Sequence, residues 1–134
     1  MLQHDYLLEI ISQFVDAISR ALLDAVGKGS LKDAKDAEQA IAGVLDLDPN
    51  VALRLSPDSL VTMMLLSGVG ESLAGYVAYA LRKLSQAYDG MGEDELSDLR
   101  LSQARAVEES FNSEPGAIPE EFKELEEKLE AGQM

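Results

Sequence analysis

The sequence predicts an all-α fold, a compact bundle of about five or six helices. Three observations carry this expectation. Apolar residues recur at three- and four-residue steps in several separate segments. No run of Val, Ile, Thr, Tyr or Phe alternates strictly with polar residues, so no strand is predicted. Hydrophobic residues make up 46% of the 134, yet aromatics are only 5% and Trp is absent, so the core must be Leu, Ala, Ile and Val. A chain of this length fits a single helical domain, 1–134.

The first hairpin is expected over 2–50. In Leu2–Val26 the residues Leu7, Ile10, Ile11, Phe14, Ile18, Ala21, Leu22 and Ala25 form one apolar stripe, with Asp16, Arg20 and Asp24 opposite. Leu8 and Leu23 lie off that stripe and offer a second contact. Gly27-Lys28-Gly29 ends the helix, and Ser30 is placed to cap the next one, with Asp33 in its first turn. Leu31, Ala34, Ala37, Ile41, Val44 and Leu45 face the core. The run Leu45–Asn50 closes the helix at Pro49, and Val51, Leu53 and Leu55 fall in a short turn or helical piece.

A short inserted helix is expected over 56–67. Ser56-Pro57-Asp58 supplies a capping hydroxyl, a proline at the first position and an acid in the first turn. The segment is apolar on more than one side, so it is either buried centrally or exposed at an interface. Leu60 to Leu81 has the length of a membrane span and one charged residue, Glu71. Gly68-Val69-Gly70 breaks it, Ser67 and Ser72 flank the acid, and no basic cluster marks a cytoplasmic side. Two soluble helices about a glycine turn are expected, and no membrane contact.

The second hairpin is expected over 71–112. Leu73, Val77, Ala80, Leu81, Leu84 and Tyr88 form its first stripe. Ala74, Gly75 and Ala78 keep part of that helix thin. Asp89-Gly90-Met91-Gly92 makes the turn, and Leu96, Leu99, Ala104, Val107 and Phe111 form the partner stripe. After a break at Pro115, Pro119 opens a capping helix over 119–131, with Phe122, Leu125 and Leu129 on one side. Lys123–Glu127 and Glu124–Lys128 are spaced as exposed i,i+4 pairs.

Composition excludes several functions. There is no cysteine, hence no disulfide, thiolate metal site or cysteine nucleophile. The net charge of −14 disfavours nucleic acid, which needs a basic face to displace counterions. Met1-Leu2-Gln3-His4-Asp5 has no basic leader region, and a cytoplasmic location is expected. His4 is the only histidine, so relays or metal sites that need a second one lack a partner, and a solvated side chain is expected. The acidic run Asp89–Glu95 lacks the ligand spacing of a calcium loop, and it reads as glycine turn plus acids at a helix start. Gly68-Val69-Gly70 follows no strand and precedes no lysine, so it reads as a linker rather than a phosphate cradle. Met63-Met64 and Met91 read as core filling. No catalytic residue, metal or cofactor is expected.

Two segments resemble the tetratricopeptide repeat. In the late hairpin Leu84, Ser85 and Tyr88 fall on the first-helix pattern, Gly92 on the turn, and Ala104 on the second small position. Leu81 stands at the Trp position, Ser97 at an Ala position, Leu101 at the large apolar position and Glu109 at the terminal Pro position. Ala37, Ile41, Leu45, Leu47, Asp48, Pro49 and Asn50 resemble a second repeat helix and its exit. The chain also resembles a family of short bacterial proteins whose domain has no assigned function. That resemblance rests on Asp5-Tyr6-Leu7-Leu8 with Ile11 and Phe14, on Leu45-Asp46-Leu47-Asp48 leading to Leu55-Ser56-Pro57-Asp58, and on the late hairpin.

The tetratricopeptide resemblance implies two such hairpins, an inserted helix and a cap, acting as a non-catalytic protein-interaction module. Its groove residues would be Tyr79, Arg82 and Gln86, with Asp89 at the end of the row, taking a protein or peptide partner. The basic and Asn pattern that grips a peptide's terminal carboxylate is missing. Against the groove stands the simpler expectation that Tyr79 packs on the Met63-Met64 helix and Arg82 pairs with nearby acids. A ligand-binding or catalytic bundle and a structural homo-oligomer are the alternatives, and a homodimer is one way to cover leftover apolar surface.

Overall fold

The computed structural model describes residues 2–67 and 70–132, with side chains for these except 2–5, 49, 52 and 132. The expectations for the His4 side chain and for a break at Gly68 and Val69 therefore lie outside the described residues. The elements are α1 (Leu2–Lys28), α2 (Leu31–Val44), α3 (Pro49–Ala52), α4 (Pro57–Leu66), α5 (Gly70–Gly90) and α6 (Asp94–Ser110). A 3-10 turn at Glu120–Phe122 then leads into α7 (Lys123–Gly132). The fold is all-α, with no strand among the described residues.

At 27 residues, α1 spans about 40 Å. Ile11, Phe14, Ile18, Ala21, Leu22 and Ala25 of its stripe are buried, Leu7 and Ile10 are half-buried, and Leu8 is exposed. Gly29 turns the chain at φ +63°, a conformation glycine enters without steric cost. Ser30 Oγ then accepts the Asp33 N–H at 3.2 Å, so the capping hydroxyl does what the sequence predicts. α2 returns along α1, and Ala34, Ala37, Ile41, Ala42 and Leu45 fill the seam.

Pro49 does more than stop a helix. Asp48 Oδ1 accepts the Asn50 N–H at 2.9 Å, and proline occupies the first turn of α3, where its missing N–H costs nothing. Ser56 starts α4 in the same way, accepting from Ser59 N at 3.3 Å. α4 packs chiefly on α6, with Leu60, Val61 and Met64 buried. Met63, Leu65 and Leu66 point outward, so the expectation of core-filling methionines holds for Met64 and not for Met63. Gly70 meets α4 so closely that a β-carbon there would collide with the Met64 carbonyl. That contact needs glycine.

α5 is the central element. It touches α1, α2, α4 and α6, and Leu73, Val77, Ala80, Leu81, Leu84 and Tyr88 are all buried as expected. The α5–α6 turn closes where Gly92 takes φ +79° and Glu93 N–H reaches the Tyr88 carbonyl at 2.9 Å. Asp94 and Glu95 sit in the first turn of α6, favourable to its dipole. Where α5 and α6 cross, Ser85 and Ser97 each donate a hydroxyl to the other's backbone carbonyl at 2.8 Å. Only small residues let two helix backbones come that near.

The stripe on α6 differs from the expected one. Leu96, Leu99 and Phe111 are half-buried, while Ser97, Arg100, Gln103, Ala104, Val107 and Glu108 face inward. The inward row is thus shifted by one position at its start, because polar side chains occupy it and find partners inside. On α7, Lys128 pairs with Glu124 at 3.3 Å, whereas Lys123 pairs with Glu120 at 2.9 Å rather than with Glu127. The 3-10 turn brings Glu120 within reach first.

Candidate functional site

The terminal helix covers part of the buried core, as the expected cap would. It lies against α1 and, through its side chains, against α5. Phe122, Leu125 and Leu129 are spaced three and four residues apart, so a helical turn brings them to one face, and all three are buried. Phe122 stacks on Tyr79 with ring centroids 4.6 Å apart and planes 17° from parallel. It meets Tyr76 at 6.2 Å and the edge of Phe14 on α1 at 6.4 Å. Three rings from two helices, α1 and α5, therefore converge on one residue of the terminal segment.

Polar contacts flank that cluster. The Tyr79 hydroxyl donates to Glu126 at 2.9 Å, and the Tyr76 hydroxyl donates to Glu121 at 2.6 Å. Lys83 pairs with Glu126 at 2.5 Å and lies 5.4 Å from the centre of the Tyr79 ring. Burial, followed by the bond to Glu121, pushes the Tyr76 phenol up to about 12. Burial and the bond to Glu126 push the Tyr79 phenol up as well. Burial alone would raise the Glu126 carboxyl, but the bonds from Lys83 and Tyr79 outweigh it and hold the group below the usual carboxylate range.

Tyr79, Arg82 and Gln86 occupy three different settings. Tyr79 is only 3% exposed, because Phe122 covers it. Its stacking partner is thus in the terminal segment. Arg82 turns toward α6 and grips Glu108 with two bonds, from Nε at 2.7 Å and Nη2 at 2.8 Å. Gln86 is exposed and accepts a long bond from Lys83 at 3.5 Å. Asp89 is exposed. The row is real as a helix face, but its anchors are already engaged within the chain.

Glu108 is the hub of the neighbouring loop. It is 3% exposed, holds Arg82, and accepts the Gly116 N–H at 2.9 Å, where Gly116 adopts φ +75°. Burial pushes its carboxyl up, yet the Arg82 and Gly116 bonds and the Arg82 and Arg105 charges bring it below the ordinary range. Arg82, Arg105, Glu108, Asn112 and Ser113 line an open cleft of about 640 Å³ over this hub.

A second polar cluster sits deeper and was not legible as a site. Arg100 on α6 donates to Glu38 on α2 from Nε at 3.0 Å and Nη2 at 2.7 Å, to the Leu53 carbonyl at 2.6 Å, and to Gln103 Oε1 at 2.9 Å. Gln103 Nε2 donates to the Leu55 carbonyl at 2.9 Å, and the Tyr88 hydroxyl to Glu38 at 2.6 Å. Burial and the Glu38 bond push the Tyr88 phenol upward. The cluster satisfies backbone carbonyls of the segment between α3 and α4 that otherwise have no helical partner. One signal was available: Ser97, Arg100, Gln103, Ala104 and Val107 follow the same helical spacing as an apolar stripe.

Among the described residues no group of three or more His, Cys, Asp or Glu is placed to hold a metal ion. Among the described residues no helix is long and apolar enough to cross a membrane. Fold and site together define a small all-helical protein of two helical hairpins, with its last helix laid over α1 and α5. Comparison with family models, with characterised proteins and with solved structures returned no match.

Proposed function

We propose that the protein is a non-catalytic protein-interaction module of tetratricopeptide-like type, in which the α1–α5 face receives a segment of a partner protein. One observation carries this reading. That face already holds the 3-10 turn by aromatic stacking and α7 by carboxylate bonds, which is how a groove recognises an amphipathic helix. The contact order supports the repeat likeness: α1 pairs with α2, α5 with α6, and α5 lies against both members of the first pair.

The test is a photo-crosslinker placed at exposed Gln86, beside the face, in the full chain within its source cells. A discrete protein partner crosslinked there, and not from a crosslinker at exposed Asp16 on α1, is the expected result. Equal labelling from both positions, or none at Gln86, would overturn the reading. A structural homo-oligomer is the second reading, favoured by the outward Leu65 and Leu66 at the end of α4, 62% and 76% exposed. Light scattering that finds a monomer at high concentration dismisses it.

A further inference from the structure

We infer that α7 is a built-in competitor for the α1–α5 face, and that the partner it competes with presents an acidic amphipathic helix of α7's own chemistry. The ligand class is read from the seated segment. It has an aromatic residue, leucines three and seven positions later, and carboxylates one position before and four positions after it. The ring and both carboxylates have receptors in the structure, and both leucines are buried. Tyr79 stacks on the ring of Phe122, Tyr76 bonds Glu121, and Lys83 with Tyr79 bonds Glu126. The proposal rests on the reading of the protein as an interaction module.

The way α7 is attached favours exchange. Residues 111–119 join it to α6, and most of that segment is exposed. Its anchorage is local: Ser113 N–H to the Glu108 carbonyl at 2.8 Å, Gly116 N–H to the Glu108 carboxylate at 2.9 Å, and Ala117 N–H to Glu114 at 3.1 Å. None of these three bonds reaches α7; the one backbone bond onward, Phe122 N–H to the Pro119 carbonyl at 2.9 Å, belongs to the 3-10 turn that leads into it. Beyond its buried seam, Lys123, Glu124, Glu127, Lys128 and Glu130 face solvent. Charge argues for the same class of occupant. The chain carries a net charge of −14, which repels acidic segments in general, yet this face offers Lys83 to a carboxylate. A short tether holds α7 at an effective concentration in the millimolar range, so a partner's apparent affinity falls by the fraction of time the face is open.

The experiment uses a labelled synthetic peptide of residues 117–132 and measures its anisotropy against the full-length protein. Two variants open the face: Glu126→Lys, which sets two cations against each other at Lys83, and Phe122→Ala, which removes the stacked ring. Circular dichroism checks that each retains its helices. We expect either opened protein to bind the peptide at least ten-fold more tightly than the wild type. A Lys83→Glu protein should reverse the preference, taking the Glu126→Lys peptide and refusing the wild-type one. If neither opened variant binds more tightly than wild type, the proposal is overturned. A dimer formed by reciprocal exchange of α7, seen by size exclusion without added peptide, would overturn the external partner in favour of a second copy. A partner crosslinked at Gln86 that this peptide fails to displace would remove the ligand class and leave the interaction module standing.

Discussion

Replacing Arg100 by Met keeps the aliphatic bulk and deletes a buried guanidinium. Arg100 is 3% exposed and makes bonds to Glu38, the Leu53 carbonyl and Gln103. Its loss does not orphan every partner. The Leu53 carbonyl keeps a 3.3 Å bond from Gln103 Nε2, and Glu38 keeps the Tyr88 hydroxyl. Glu38 is also 15% exposed at its side chain, so water relieves part of its charge. Removing one partner of a buried ion pair costs about 3–5 kcal/mol, and these residual contacts put the expected loss near the lower end, about 3 kcal/mol. For a domain of this size that lowers Tm by roughly 10 °C. The assay is urea unfolding of the wild type, R100M, E38M and the double variant. The double variant should lose at least about 1 kcal/mol less than the sum of the singles, since removing both charges leaves no bare carboxylate. A loss under about 1 kcal/mol for R100M, or strict additivity, would refute the buried-pair argument.

Gly70→Ala forces a β-carbon into the Met64 carbonyl, and urea unfolding should show a loss of about 1–3 kcal/mol, with Gly75→Ala, which meets open space, as the tolerated control. Ser56→Ala removes the α4 cap and should cost about 1 kcal/mol, read by thermal unfolding. The Glu126 carboxyl, facing Lys83 and Tyr79 on α5 and Glu130 on its own helix, is held below its usual range. Such a group binds fewer protons folded than unfolded, so its stabilisation is complete above the unfolded value of 4.5 and is lost as pH falls through the lower folded value. Acid titration of Glu126→Gln should therefore show a shallower loss of stability below that point than the wild type, and identical slopes would contradict the assignment. At the other end, the Tyr76 phenol should ionise late, near 12, and Glu121→Gln should bring it down, as followed by ultraviolet absorbance.

Elements with strong punctuation were legible in the chain. Ser30, Ser56-Pro57 and Gly92 mark boundaries because each solves a local backbone problem that needs a particular residue type. The α5 stripe was legible because its apolar spacing is regular. The site was only half legible. Tyr79 stood out as an aromatic beside charged neighbours, but nothing local says that Phe122, more than forty positions later, covers it. Arg100 and Gln103 were missed for a different reason: polar residues on a helix read as its wet face unless their partners are known, and Glu38 is 62 positions away.

That distance carries a consequence for folding. In a stack of independent repeats, each hairpin forms alone and gains stability by adding its neighbour. Here Glu38 belongs to the first hairpin and Arg100 to the second, and the carbonyls of Leu53 and Leu55 lie on the chain between them. The cluster is complete only when all three segments have met. Ring closure over so long a chain is paid before the bonds form. The two hairpins should therefore exchange their slowest amide protons at one common rate, through a single opening of the whole molecule.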